Sequence, residues 1–252
     1  MNLSYTDEQN LLRDSVSKFC GSDYDFDTRM KSVNSDRGHN RDHWKLFAEL
    51  GWLAIPFSED MGGLDGGDVD LSLMFEEFGK SIVIEPYLAN VVLSGGVLKR
   101  CDHEKKSDLI ESLIAGEAQF SLANYEPQKG FNLDNVDCEI SSDGTVNGIK
   151  TTVLNAPNAD HFLVFGKHGS SHAFALVSKD AEGLNVTSYK TYDGFVSGDI
   201  KLDNVKSEAV FSKNDALEIL TEAILEGIIS VSSEAIGAME KCYKLTIEYT
   251  QQ

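Results

Sequence analysis

The stretch DALEILTEAILEGIISVSSEAIGAMEKCYKLTIEYTQQ, Asp215 to Gln252, decides how the rest of the chain is read. Apolar or small residues fall at Leu217, Leu220, Ile224, Ile228, Val231, Ala235, Ala238, Cys242, Leu245 and Tyr249, steps of three or four that hold one face of an α-helix. No Gly or Asn cap, basic last turn or following proline marks a stop inside it. At roughly 1.5 Å per residue the helix reaches about 57 Å, longer than a small domain is wide. Such a stripe needs partner helices, so it is expected to be the first helix of a bundle whose other members lie outside this sequence.

Upstream of it, from Phe120, the segments VDCEI, TVNGIKTTVL, HFLVFG, HAFALV, GLNVTSY and GDIKLDNV are short, β-branched or alternating, and are parted by turns such as SSDG and KHGSS. That pattern predicts an antiparallel β domain. Further upstream the period is helical. Thr6 with Gln9 forms a capping box ahead of Leu12, Val16 and Phe19. A polar stretch from Gly21 to Asn40 leads to RDHWKLFAELGW, where Trp44, Phe47 and Leu50 share a face and Gly51 stops the helix. After the loop SEDMGGLDGGDVD come Leu71, Met74, Phe75 and Phe78, closed by Gly79, then helices around Leu88–Leu98 and Lys106–Ala115. The fold class is therefore α+β: an N-terminal all-α domain (1–118), a middle antiparallel β domain (119–212) and the first long helix of a C-terminal bundle (213–252).

Composition narrows the function classes. The chain has 252 residues, 41% hydrophobic and 25% charged, which is ordinary globular usage. Its 22 Lys+Arg against 41 Asp+Glu give a net charge of -19, which repels phosphate backbones and anionic lipid. Nucleic-acid and membrane binding are set aside on that ground. The N-terminus has no basic segment followed by an apolar one, and no 18-residue apolar run occurs, so a soluble, cytoplasmic protein is expected. Cys20, Cys101, Cys138 and Cys242 are far apart without a C-x-x-C pair and read as reduced structural thiols.

Three motifs point to a family. SLANYEPQKG followed by GIKTTVLNAPNADHFLVFG, ELGWLAIPFSEDMGGLDGG, and VSSEAIGAMEKCYKLTIEYTQQ resemble, in order and spacing, the β-domain entry, the N-terminal signature and the long third-domain helix of acyl-CoA dehydrogenases. The resemblance covers essentially the whole chain. It implies FAD as cofactor, an acyl-CoA thioester as substrate, an electron-accepting flavoprotein as partner, and a homo- or hetero-oligomer. Carried over by position, Tyr125, Thr152, Val153 and Leu154 face the flavin and Phe131 lies near the thioester. Several positions depart from the family's pattern: Tyr125 stands for a Thr or Ser, Thr152 for an aromatic, Leu154 for a hydroxyl residue, and Gln128 and Lys129 occupy a turn that is usually Gly-rich.

The chemistry that the resemblance implies removes a proton α to a thioester and passes a hydride from the β carbon to flavin, which needs a positioned carboxylate base. In the family that base usually lies on the helices beyond this sequence, and the minority position on the present helix falls at Gly227. Glu226 is adjacent but turned about 100° away, so no catalytic residue is assigned, and the chain alone is expected to be inactive. The alternative is a non-catalytic partner subunit of a heteromeric acyl-CoA dehydrogenase. Other candidates carry less. His168 and His172 in HGSSH read as a hairpin turn rather than as metal ligands, and GGLDGG as a surface loop. Glu76, Glu77 and Glu126 read as solvated or capping carboxylates.

Overall fold

The computed structural model describes residues 4–251, so Met1 and Gln252, the outer ends of the expected three-part division, lie outside it. Helix α1 (Asp7–Ser22) starts at the expected box: Thr6 Oγ1 accepts from the Gln9 N–H at 3.2 Å and Gln9 Oε1 from the Thr6 N–H at 3.1 Å. It buries Val16 and Phe19. The polar stretch that follows is not a linker but contains a second helix, α2 (Phe26–Val33), capped by Asp25. It was invisible to an apolar-stripe reading because the residues it buries are Arg29 and Ser32. Arg29 donates to the carbonyls of Ile82 and Asp193 at 2.7 and 2.6 Å, tying α2 to distant segments.

Helix α3 (Arg41–Glu49) buries Trp44 and Phe47, whereas Leu50, just past its end, is exposed. The chain then reverses at Gly51 with φ +74°. Helix α4 (Asp68–Ser81) buries Leu71, Met74, Phe75 and Phe78, and Phe78 stacks on Phe47 at 5.7 Å. It ends at Ile82 (φ +53°), not at Gly79. Residues Leu88–Ser94 wind as a π-helix into α5 (Gly95–Leu98), and α6 (Lys106–Ile114) follows. Asn90 Oδ1 accepts from the Phe120 N–H at 2.7 Å, joining this helical block to the first strand.

Eight strands form one sheet: β1 (Phe120–Ala123), β2 (Glu139–Ile140), β3 (Thr145–Leu154), β4 (His161–His168), β5 (Ser171–Ser178), β6 (Leu184–Lys190), β7 (Val196–Lys206) and β8 (Ala209–Phe211). The order is β6-β7-β3-β2-β4-β5-β8, with β1 also on β4. The sheet is mixed rather than purely antiparallel, because β1 and β2 both run parallel to β4. All four residues of β1 are buried, the pattern of a strand covered on both faces. HGSSH is the β4–β5 hairpin, His168 opposite Ser171, and His168 Nδ1 lies 2.9 Å from the Ile140 carbonyl.

Alternation along β4 divides the interior: Leu163 and Phe165 join the helices' core with Phe47, Trp52 and Phe78, while Phe162 and Val164 join a second core on the other face. The last helix, α7 (Ala216–Thr250), adds Leu220 and Ala223 to the first. It crosses α4 backbone to backbone: a Cβ on Gly79 would overlap the Glu234 carbonyl, and one on Gly237 the Glu76 carbonyl. No helix among the described residues is long and apolar enough to cross a membrane.

Candidate functional site

Strand β3 carries an irregularity that shapes the site. Its register with β7 passes from Lys150 opposite Ile200 to Val153 opposite Gly198, so Thr151 and Thr152 together oppose Asp199, a β-bulge. Thr152 takes φ +55°. Asp199 Oδ1 holds the bulge, accepting from Thr151 Oγ1 (2.7 Å), the Thr152 N–H (3.0 Å) and Tyr189 Oη (3.1 Å). The Thr151 hydroxyl first, then the Thr152 N–H, holds the Asp199 carboxyl below its ordinary range. Val153 is buried in the second core, while Thr152 and Leu154 open onto a cavity.

Beside the bulge, the Tyr125 carbonyl accepts from the Thr151 N–H at 2.9 Å. Glu126, expected to be solvated or to cap a helix, does neither. It is buried, with Oε1 2.7 Å from the Nζ of fully buried Lys150 and both oxygens accepting from the Asp137 and Cys138 N–H groups. Burial pushes this carboxyl up, but the Lys150 ammonium and the two N–H donors prevail and hold it below the ordinary range. Glu77 is likewise buried, 2.7 Å from Lys80, which also reaches Glu76 and, across on α7, Glu240. The loop pinned by Glu126 presents Phe131 at its tip, 91% exposed, edge-on to the Tyr125 ring at 6.3 Å. Neither Tyr125 nor Phe131 lines the cavity.

The cavity holds about 420 Å³. Its walls are the end of α4, the link Ile82–Ala89, the β3 bulge, the hairpin between β6 and β7, and α7 through Val231 and Glu234. Most of its lining is apolar; His39 supplies its imidazole and Glu85, Asp193 and Glu234 its carboxyl groups. Burial pushes the His39 imidazole below its ordinary range, so it is neutral at pH 7. Burial, and then the Asp193 carboxylate, push the Glu234 carboxyl up to about 7.

A helical block, a bulged sheet and a long helix closing on one cavity can be set beside known proteins. Residues 6–117 match the model of the acyl-CoA dehydrogenase N-terminal domain. Probable acyl-CoA dehydrogenase YngJ of Bacillus subtilis (strain 168) is 26% identical over 272 residues, covering 100% of this chain and 70% of that protein. The chain resembles acyl-CoA dehydrogenases along its whole length. Two solved structures share its fold at 22% identity: PigA with FAD and proline (TM-score 0.88, covering 99% of this chain and 70% of that one), and the ChsE4-ChsE5 complex from Mycobacterium tuberculosis (TM-score 0.85, covering 99% and 68%).

On α7 the chain places its carboxylates unequally. Glu226 is buried and clamped by Lys99 Nζ at 2.8 Å and Arg100 Nη2 at 2.6 Å. Burial raises its carboxyl, but the Arg100 and Lys99 hydrogen bonds prevail and hold it ionised below the ordinary range. Gly227 packs on Leu93 of the π-helix, where a Cβ would meet the tip of the leucine side chain, Cδ2, at 2.8 Å. Glu234 was missed by the sequence reading. Seven residues on from Gly227, it returns to nearly the same helical face, a signal present in the sequence but meaningless until α7 is placed against the cavity.

Proposed function

We propose that residues 1–252 build one wall of an FAD-dependent acyl-CoA dehydrogenase site acting on an acyl-CoA thioester. The observation that carries this reading is the apolar cavity bounded by Thr152 and Leu154 of the β3 bulge on one side and by α7 on the other. The residues fit a flavin: the bulge presents Thr152, exposed and at φ +55°, at the cavity wall, and the buried Asn124 Nδ2 beside Tyr125 has no hydrogen-bond partner among the described residues. Of the residues expected at the flavin, Thr152 and Leu154 would face the ring, while Val153 would support the bulge from the second core and Tyr125 and Phe131 would lie beside the cavity rather than in it. FAD, when bound, supplies the hydride acceptor for desaturation of the acyl chain.

The chain's own residues supply walls, orientation and exclusion of water. Phe75, Phe78, Tyr87 and Val231 present apolar surface to an acyl chain, and burying it there is favourable by about 25 cal/mol per Å². Glu126 and Lys150 fix the loop before Phe131 to β3. Glu226 does not line the cavity, and its two cations lower its affinity for a proton, so in this reading the base comes from outside residues 1–252. The isolated chain is therefore expected not to turn over acyl-CoA with an artificial electron acceptor. Turnover above background by protein of verified mass would overturn that part of the reading.

One observation favours a second reading, a non-catalytic subunit of a heteromeric acyl-CoA dehydrogenase. Leu225, Ile229, Ile236, Met239 and Tyr243 are exposed along a further face of α7, so the helix is apolar on nearly every side, as buried helices are. Size-exclusion with light scattering separates the cases. A homo-oligomer broken by Ile236→Asp with Met239→Asp supports self-association, and a wild-type monomer that assembles only with a homologous chain supports the heteromer.

A further inference from the structure

The polar chemistry of the cavity is one-sided. Its carboxyls come from three separate elements: Glu85 from the link after α4, Asp193 from the β6–β7 hairpin and Glu234 from α7. No lysine or arginine lines it among the described residues. His39 is kept neutral by burial, and Arg29 spends its Nε and Nη2 on the carbonyl oxygens of Ile82 and Asp193. Glu85 is 3% exposed; Oε1 meets His43 Nδ1 at 3.0 Å, while Oε2 is buried with no hydrogen-bond partner among the described residues. On Glu234 the acting influences are burial and the Asp193 carboxylate, with no cation to offset them. Asp193 is exposed at the cavity mouth and accepts from Thr191 Oγ1 and the Phe195 N–H, so the cost of carboxyls without a counter-charge falls on Glu234 and on Glu85 Oε2, and a ligand bearing that charge relieves it.

We propose that this cavity selects an acyl group carrying a protonated amine or a comparable hydrogen-bond-donating cation, received by Glu234 at the α7 wall with Asp193 and Glu85 around it. This takes the acyl ligand from the reading above, but the charge preference stands on the cavity alone. A cation entering the cavity draws Glu234 into its ionised form and makes a charge-assisted hydrogen bond, stronger than a neutral one. A plain hydrocarbon end leaves the carboxyls as they were. A carboxylate end meets carboxyl groups where it needs a cation and is disfavoured.

The test uses three short probes of one shape: n-pentylammonium, 1-pentanol and pentanoate, titrated calorimetrically into the 252-residue chain at pH 8. The ammonium is expected to bind roughly tenfold tighter than the alcohol, about 1.4 kcal/mol, with pentanoate weakest. Glu234→Gln and, as a second variant, Glu234→Ala are expected to lose that preference while circular dichroism and thermal midpoint show an intact fold. Absence of ammonium binding, an alcohol or carboxylate that binds as tightly, or a preference that survives both variants overturns the proposal. So does Glu234-dependent exchange of the α-proton of butyryl-CoA with D2O, which would make this carboxyl a proton acceptor instead. FAD titration of the same samples keeps the two readings apart: ammonium preference without FAD binding removes the flavoprotein reading only, and FAD binding without the preference removes this proposal only.

Discussion

Lys150 is fully buried, with its ammonium 2.7 Å from Glu126, and removing one partner leaves a charge in the interior without compensation. Lys150→Met is expected to destabilise the protein by about 3–5 kcal/mol in urea unfolding, and a loss under about 1 kcal/mol, the range of an exposed pair, would refute the assignment. The opposite case is Glu234, whose folded carboxyl sits near 7 against an ordinary 4.5. Because the folded state binds the proton more tightly, the stability this group contributes is fully present below pH 4.5 and is lost as pH rises through about 7. Wild type is therefore expected to lose stability relative to Glu234→Gln across that window and to run parallel to it above pH 8. A difference that is flat with pH would contradict the shift. The Thr6–Gln9 box was legible because its partners are three residues apart. The Glu126–Lys150 pair was not, because sequence shows carboxylates without showing which of them tertiary packing buries.

Gly79 and Gly237 show the same limit at the scale of elements. By sequence Gly79 reads as a helix stop, yet α4 runs on to Ser81 and the glycine serves the crossing with α7. Gly237→Ala improves intrinsic helix propensity by roughly 0.5–1 kcal/mol, but the new Cβ meets the Glu76 carbonyl. Overlap is expected to win, with a net loss of about 1–3 kcal/mol. A stabilised variant would mean that the two backbones do not meet there. The long period of α7 was legible, and so was its inward face in the first turns, where Leu220 is buried and Leu217 and Ile224 pack against the core. Beyond them Glu226, Gly227, Ser230 and Gly237 are buried, whereas Ile228, Val231 and Leu245 of the expected stripe are exposed. Small residues mark the true contact face, because backbone approach, not side-chain size, decides this crossing.

For the whole molecule, the succession of helical block, sheet and long helix was legible from changes of period, since each element is long enough to show its own. The parallel placement of β1 and β2 on β4 was not, because pairing partners are chosen by packing across the sheet. The expected flavin-facing residues divide likewise: Thr152 and Leu154 reach the cavity, Val153 turns into the second core, and Tyr125 and Phe131 meet each other outside it. The central claim is that the bulge wall of this cavity receives FAD. The direct measurement is a flavin-fluorescence titration of the 252-residue chain and of its Leu154→Lys variant. Saturable but weak binding is expected, with a dissociation constant of about 1 μM or higher, since one wall supplies only part of the binding free energy, and the variant is expected to lose it. No saturable binding, or binding that Leu154→Lys leaves unchanged, would contradict the account.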